Sequence, residues 1–123
     1  MKKLIRIGWI ALLCLFGFAG CSQEEKNMEN TYQQITAEEA KRIMDTEKDY
    51  IIIDARTDEE FTEGHIKNAI LIPEYEITER AEKELPDKDT LILVYCRSGR
   101  RSKIASEELV KLGYTNVKEF GGI

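Results

Sequence analysis

Leu91-Ile92-Leu93-Val94-Tyr95-Cys96-Arg97-Ser98-Gly99-Arg100-Arg101-Ser102 runs from an apolar segment through a cationic loop into a change of period. Its first five residues are uninterrupted, apolar and β-prone, the pattern of a strand covered on both faces. From Ser102 to Leu112 the period changes. Ile104, Ala105, Leu109 and Leu112 fall on one side of an amphipathic helix that Gly113 stops. Six residues, Cys96 to Arg101, join strand to helix. Open α/β sheets bind ligands at such a place, beyond the carboxyl end of a strand.

Upstream, the alternation repeats. Tyr32 to Ile35 reads as a short strand, and Thr36 with Glu39 forms a capping box opening a helix to about Asp45. That helix should bury Ala40, Ile43 and Met44. Tyr50 to Asp54 is a second buried strand, and Thr57 with Glu60 is a second capping box before a short helix ending at Gly64. Ala69 to Ile72 is a third apolar run. Glu74 to Leu85 permits a helix, and Val117 to Phe120 makes a last strand. Strands alternating with helices predict an α/β domain with a mainly parallel sheet.

Charge narrows the function. The formal net charge is −5 over 123 residues, but residues 1–21 carry only Lys2, Lys3 and Arg6, so the remainder stands at −8. Such an acidic domain lacks the clustered Lys and Arg that nucleic acid or an anionic membrane surface requires. The three basic leader residues precede an apolar run, Ile7 to Ala19, too short to span a bilayer as a helix. The run ends in Phe18-Ala19-Gly20-Cys21, which resembles the bacterial lipobox, with Phe18 where Leu is preferred. The expectation is a lipoprotein signal peptide over 1–20, lipidation at Cys21, a polar flexible tether over 21–30 and a folded domain over 31–123. It places the protein on the extracytoplasmic side of a bacterial membrane. An ordinary signal peptide or an uncleaved anchor are the alternatives.

Cleavage would remove Cys14 and lipidation would occupy Cys21, leaving Cys96 as the single thiol. At a strand end facing a helix N-terminus, that thiol should ionise readily. Gly99 lets successive N–H groups converge on one anion, and Arg97, Arg100 and Arg101 add positive potential. With Ser98 they form an anion-binding loop. A buried, inert cysteine beside a solvated turn is the plainer alternative.

The loop Tyr95 to Ser102 resembles the active-site loop of single-domain rhodaneses. So does Ile53-Asp54-Ala55-Arg56-Thr57-Asp58-Glu59-Glu60-Phe61-Thr62-Glu63-Gly64-His65-Ile66-Lys67-Asn68-Ala69-Ile70-Leu71-Ile72-Pro73, with Ala55 where Val is usual. Gly113-Tyr114-Thr115-Asn116-Val117 and Gly121-Gly122-Ile123 are similar to the family's closing segment. The resemblance covers residues 32–123 and implies a rhodanese-like α/β/α sandwich around a five-stranded, mainly parallel sheet. It implies sulfur transfer through a Cys96 persulfide, from a small anionic donor such as thiosulfate or polysulfide to a thiophilic acceptor, a small molecule or a protein. This chemistry requires no metal and no organic cofactor. Asp54, Arg56 and Glu60 are expected to form a structural ion-pair set. His65, within Gly64-His65-Ile66, is expected to tie a helix end to the next strand. Family members usually continue to a Trp and a further helical turn; this chain stops at Ile123, so its C-terminal end reads as truncated.

Three other readings use the same loop. A cysteine-dependent phosphatase or arsenate reductase would place Arg as Cys-x5-Arg, whereas Ser102 holds that position and Arg101 falls one place early. A non-catalytic rhodanese-like binding module commonly lacks the cysteine. A persulfide carrier serving one protein would keep it.

Overall fold

The computed structural model describes residues 31–123. The expected signal peptide, tether and Cys21 lie outside the described residues. In chain order the elements are β1 (Gln33–Gln34), α1 (Ala37–Thr46), β2 (Tyr50–Asp54), α2 (Asp58–Glu63), β3 (Ile70–Leu71), a 3-10 turn (Glu74–Glu76), α3 (Ile77–Glu84), β4 (Leu91–Cys96), α4 (Arg100–Lys111) and β5 (Val117–Gly122).

All five strands are parallel, in the order β1-β5-β4-β2-β3. β4 and β2, the longest apolar runs, stand adjacent in the middle, with Ile52 beside Leu93 and Ile53 beside Val94. Side chains alternate along a strand, so each of these two strands feeds both faces. Ile53, Ile92, Val94 and Cys96 join Ala81 of α3, Leu85 just after it, and Ala105 and Leu109 of α4 on one face. Ile52, Leu93 and Tyr95 join Ala40, Ile43 and Met44 of α1 on the other. The parity of β4 therefore aims Cys96 at α4, whose first turn starts four residues later.

Both capping boxes form. Thr36 Oγ1 accepts from the Glu39 N–H at 3.0 Å and Thr57 Oγ1 from the Glu60 N–H at 3.2 Å. α4 begins at Arg100, one to two residues earlier than its apolar period suggests. Gly99 is its N-cap, with φ +102°, and no side chain caps the helix. Only Arg97, Ser98 and Gly99 remain as loop; Arg100, Arg101 and Ser102 are the first helical residues. The long charged stretch after Pro73 divides into a 3-10 turn and α3. β5 runs on through Gly121 and Gly122, with a register shift against β4 between Val94 and Cys96.

Candidate functional site

Cys96 closes β4, fully buried, with its sulfur facing the start of α4. The Gly99 N–H donates to Sγ at 3.0 Å. A left-handed Gly99 turns the chain so that its own N–H and those of Ser98 and Ser102 surround the sulfur. Burial pushes the thiol pKa up, but the Ser102 hydroxyl and these three N–H groups outweigh it, and the net shift is downward.

Ser102 enters the sequence pattern only as part of the loop motif, yet its hydroxyl is hydrogen-bonded to the sulfur. Its Oγ lies 3.4 Å from Sγ, 3.0 Å from the Gly99 carbonyl and 2.5 Å from Glu119 Oε2. Glu119, from β5, is 2% exposed and was not singled out by sequence reasoning. The signal for it is parity: it sits two residues after inward-facing Val117 on a strand crossing beneath α4.

The loop arginines divide. Arg101 grips Glu60 in a bidentate pair, Nη1 to Oε1 at 2.8 Å and Nη2 to Oε2 at 3.1 Å. Arg97 Nε adds a bond to Oε2 at 3.2 Å, with its side chain 58% exposed. The Glu60 carboxyl is held well below the usual carboxylate range, first by Arg101, then by the Thr57 N–H and Arg97. Arg100 is exposed and makes no hydrogen bond or ion pair among the described residues. Ser98 is exposed at the loop surface.

The expected single set of Asp54, Arg56 and Glu60 is two sets. Glu60 belongs to the loop arginines, because the capping box that opens α2 turns its carboxylate toward Arg101. Asp54 instead pairs with buried Arg56, Nε to Oδ1 at 2.9 Å and Nη2 to Oδ2 at 2.8 Å. The Tyr95 hydroxyl donates to Asp54 Oδ2 at 2.7 Å and accepts from the Ile66 N–H at 3.1 Å. Arg56 Nη2 reaches the Gly64 carbonyl at 2.6 Å. This network ties the ends of β2 and β4 to the segment after α2, and Tyr95 is a member that sequence reasoning missed. His65 is exposed, stacks on Phe61 with ring centroids 3.7 Å apart, and places Nδ1 2.9 Å from the Phe61 carbonyl.

Gly122 completes the site from β5. A β-carbon built on it would stand 1.6 Å from the Arg97 carbonyl oxygen, so only glycine lets β5 pass against the loop. A cleft of about 360 Å³ opens beside Arg97, lined also by Arg56, Glu60, Glu63, Gly64 and Ile123. No group of three or more potential metal ligands occurs among the described residues.

A buried thiol ringed by converging N–H groups and flanked by cations can hold a negatively charged sulfur. Known proteins match the chain. Residues 36–122 fit the profile of the Rhodanese-like domain. Thiosulfate sulfurtransferase PspE of Escherichia coli is 42% identical over 71 residues, 58% of this chain and 68% of that protein. The putative sulfur carrier protein YrkF of Bacillus subtilis is 34% identical over 95 residues, 76% of this chain, and the chain spans 50% of YrkF. The solved structure of a rhodanese with anions from E. coli superposes with a TM-score of 0.56 at 40% identity, covering 58% of this chain and 85% of that one. The chain belongs to the rhodanese-like domain family, within which it matches single-domain thiosulfate sulfurtransferases.

Proposed function

We propose that this protein transfers sulfane sulfur through a persulfide on Cys96, taking it from a small anionic donor such as thiosulfate or polysulfide. The observation that carries the reading is the Cys96 sulfur itself, bonded by the Gly99 N–H and ringed by the N–H groups of Ser98 and Ser102. The thiolate attacks the outer sulfur of the donor. The bond to the leaving group breaks, sulfite departs in the case of thiosulfate, and Cys96-S-S⁻ remains. The loop N–H groups stabilise the new anion as donors stabilise an oxyanion. A thiophilic acceptor then removes the terminal sulfur and restores the thiolate, a two-step covalent cycle. Neither step requires a metal or an organic cofactor.

The sulfur has no exposed surface, so turnover requires the structure around it to open. The donor approaches through the field of Arg100 and the partly neutralised Arg97–Glu60–Arg101 cluster. The cleft beside Arg97 is the place for an acceptor, whether a small thiol or a protein side chain. The lipobox-like leader supports a further proposal, that a lipid on Cys21 tethers the domain to the extracytoplasmic face of a bacterial membrane.

The test offers the full chain thiosulfate with cyanide and, separately, an aryl phosphate. Thiocyanate formation that disappears in Cys96→Ser supports sulfur transfer. Phosphate release without thiocyanate would move the protein to the cysteine-dependent phosphatases.

A further inference from the structure

The Ser102 hydroxyl owns one proton and has three acceptors in reach. Glu119 Oε2 at 2.5 Å is the nearest, ahead of the Gly99 carbonyl at 3.0 Å and Cys96 Sγ at 3.4 Å. While Glu119 is ionised it takes that proton, and Ser102 presents a lone pair to the Cys96 S–H. The thiolate needs the opposite arrangement, with the hydroxyl turned toward sulfur. A proton that reaches Glu119, on the far side of Ser102, frees the hydroxyl to hold the second orientation.

Glu119 is placed to receive it. It is 2% exposed and has no cationic partner among the described residues. The Gly121 N–H donates to Oε2 at 2.9 Å and the Gln34 side-chain amide to Oε1 at 3.3 Å, both neutral donors. His65, the one histidine, is bonded to the Phe61 carbonyl and stacked on Phe61. Arg101 of α4 faces Cys96, and Arg56 faces Arg101. The Tyr32 phenol, ahead of β1, faces Glu119 and Glu107. On β5, Lys118 is bonded to Gln33.

We propose that Cys96, Ser102 and Glu119 form an internal proton relay in which Glu119 stores the thiol proton while Cys96 is a thiolate. This deepens the sulfur-transfer reading and rests on it. The Cys96 S–H bond breaks and its electron pair stays on sulfur. The proton bonds to Ser102 Oγ, and the hydroxyl's own proton passes to Glu119 Oε2. Two protons shift for a net transfer of one from sulfur to carboxylate, and neither an oxidant nor a reductant takes part. Glu119 acts through Ser102 and is a positioning residue for the thiolate. The relay makes the nucleophile without a histidine and without releasing a proton to solvent.

Coupled groups titrate as a pair, and that is what the experiment reads. The alkylation rate of the full chain by iodoacetamide is followed on the Cys96 peptide by mass spectrometry across pH. Wild type should show two steps separated by a plateau, because internal transfer keeps the thiolate fraction constant between them. Below its midpoint a single ionisation changes the rate about tenfold per pH unit. Glu119→Gln keeps the shape and hydrogen bonding of the side chain, and it should lose the plateau and leave one step; Ser102→Ala should do the same. A Glu119→Gln profile that superimposes on wild type would overturn the relay. If the variants fail to fold, infrared difference spectra of wild type decide. Alkylating Cys96 should abolish a protonated-carboxyl band as the stored proton leaves, and an unchanged carboxyl spectrum would overturn the proposal. Thiocyanate formation with a one-step wild-type profile removes the relay and leaves the sulfur-transfer reading standing; a Cys96 that neither alkylates nor takes up sulfur removes both.

Discussion

Gly122 and Arg97 touch through their backbones: a methyl group on the Gly122 α-carbon would lie 1.6 Å from the Arg97 carbonyl oxygen. β5 reaches this position because its register shifts against β4, so that Gly122 pairs with Cys96 and the Ile123 N–H donates to the Cys96 carbonyl at 3.1 Å. The end of β5 thus forms one wall of the loop that holds the nucleophile.

Gly122→Ala should therefore push Arg97 and Ser98 away. A displacement near 1 Å can cost on the order of a hundredfold in rate, while overpacking costs about 1–3 kcal/mol of stability. Thiocyanate formation should fall far more than the melting temperature does. An alanine variant with wild-type kcat would show that the loop is not set by β5.

The Tyr95 hydroxyl is buried against Asp54. Its pKa is pushed up to about 12, first by burial, with the Ile66 N–H opposing and Asp54 adding to the rise. A tyrosine whose folded pKa exceeds its unfolded value near 10 contributes stability that is complete below about pH 10 and lost as pH rises toward 12. Alkaline unfolding followed by circular dichroism should steepen in that window. Tyr95→Phe should lessen the steepening and should cost about 1–3 kcal/mol at neutral pH, since Asp54 loses a buried donor.

Much of this architecture was legible in the chain. The two capping boxes marked the starts of α1 and α2, and the apolar runs at Tyr50 and Leu91 marked the two central strands. The parity of β4 then fixed which face Cys96 joins. Other features depend on contacts distant in sequence. Tyr95 meets Asp54 across 41 residues, and Glu60 meets Arg101 across another 41. Glu119 reads as a surface acid until β5 is seen to pass beneath α4. The start of α4 was hidden because a left-handed glycine, rather than a capping side chain, opens it.

The Arg100 side chain, in the first turn of α4, is exposed and has no partner among the described residues, whereas Arg97 and Arg101 share Glu60. Arg100→Gln should raise KM for thiosulfate several-fold with little change in kcat. It should also flatten the salt dependence of kcat/KM, since the Debye length is about 8 Å at physiological ionic strength. Kinetics at low and high salt check this. A wild-type rate indifferent to salt would remove the recruiting role.

Cys21→Ser should release the protein from membranes if a lipid on that cysteine is the tether. Membrane fractionation of cells carrying either form decides it. Equal retention of both would make the leader a plain anchor.

The central claim is that Cys96 carries the travelling sulfur. Intact-mass spectrometry of the protein after thiosulfate, with no acceptor present, measures it most directly. The expected result is a gain of one sulfur atom, localised to the Cys96 peptide, absent in Cys96→Ser and discharged by cyanide. An unmodified Cys96 in a protein that still forms thiocyanate would contradict it.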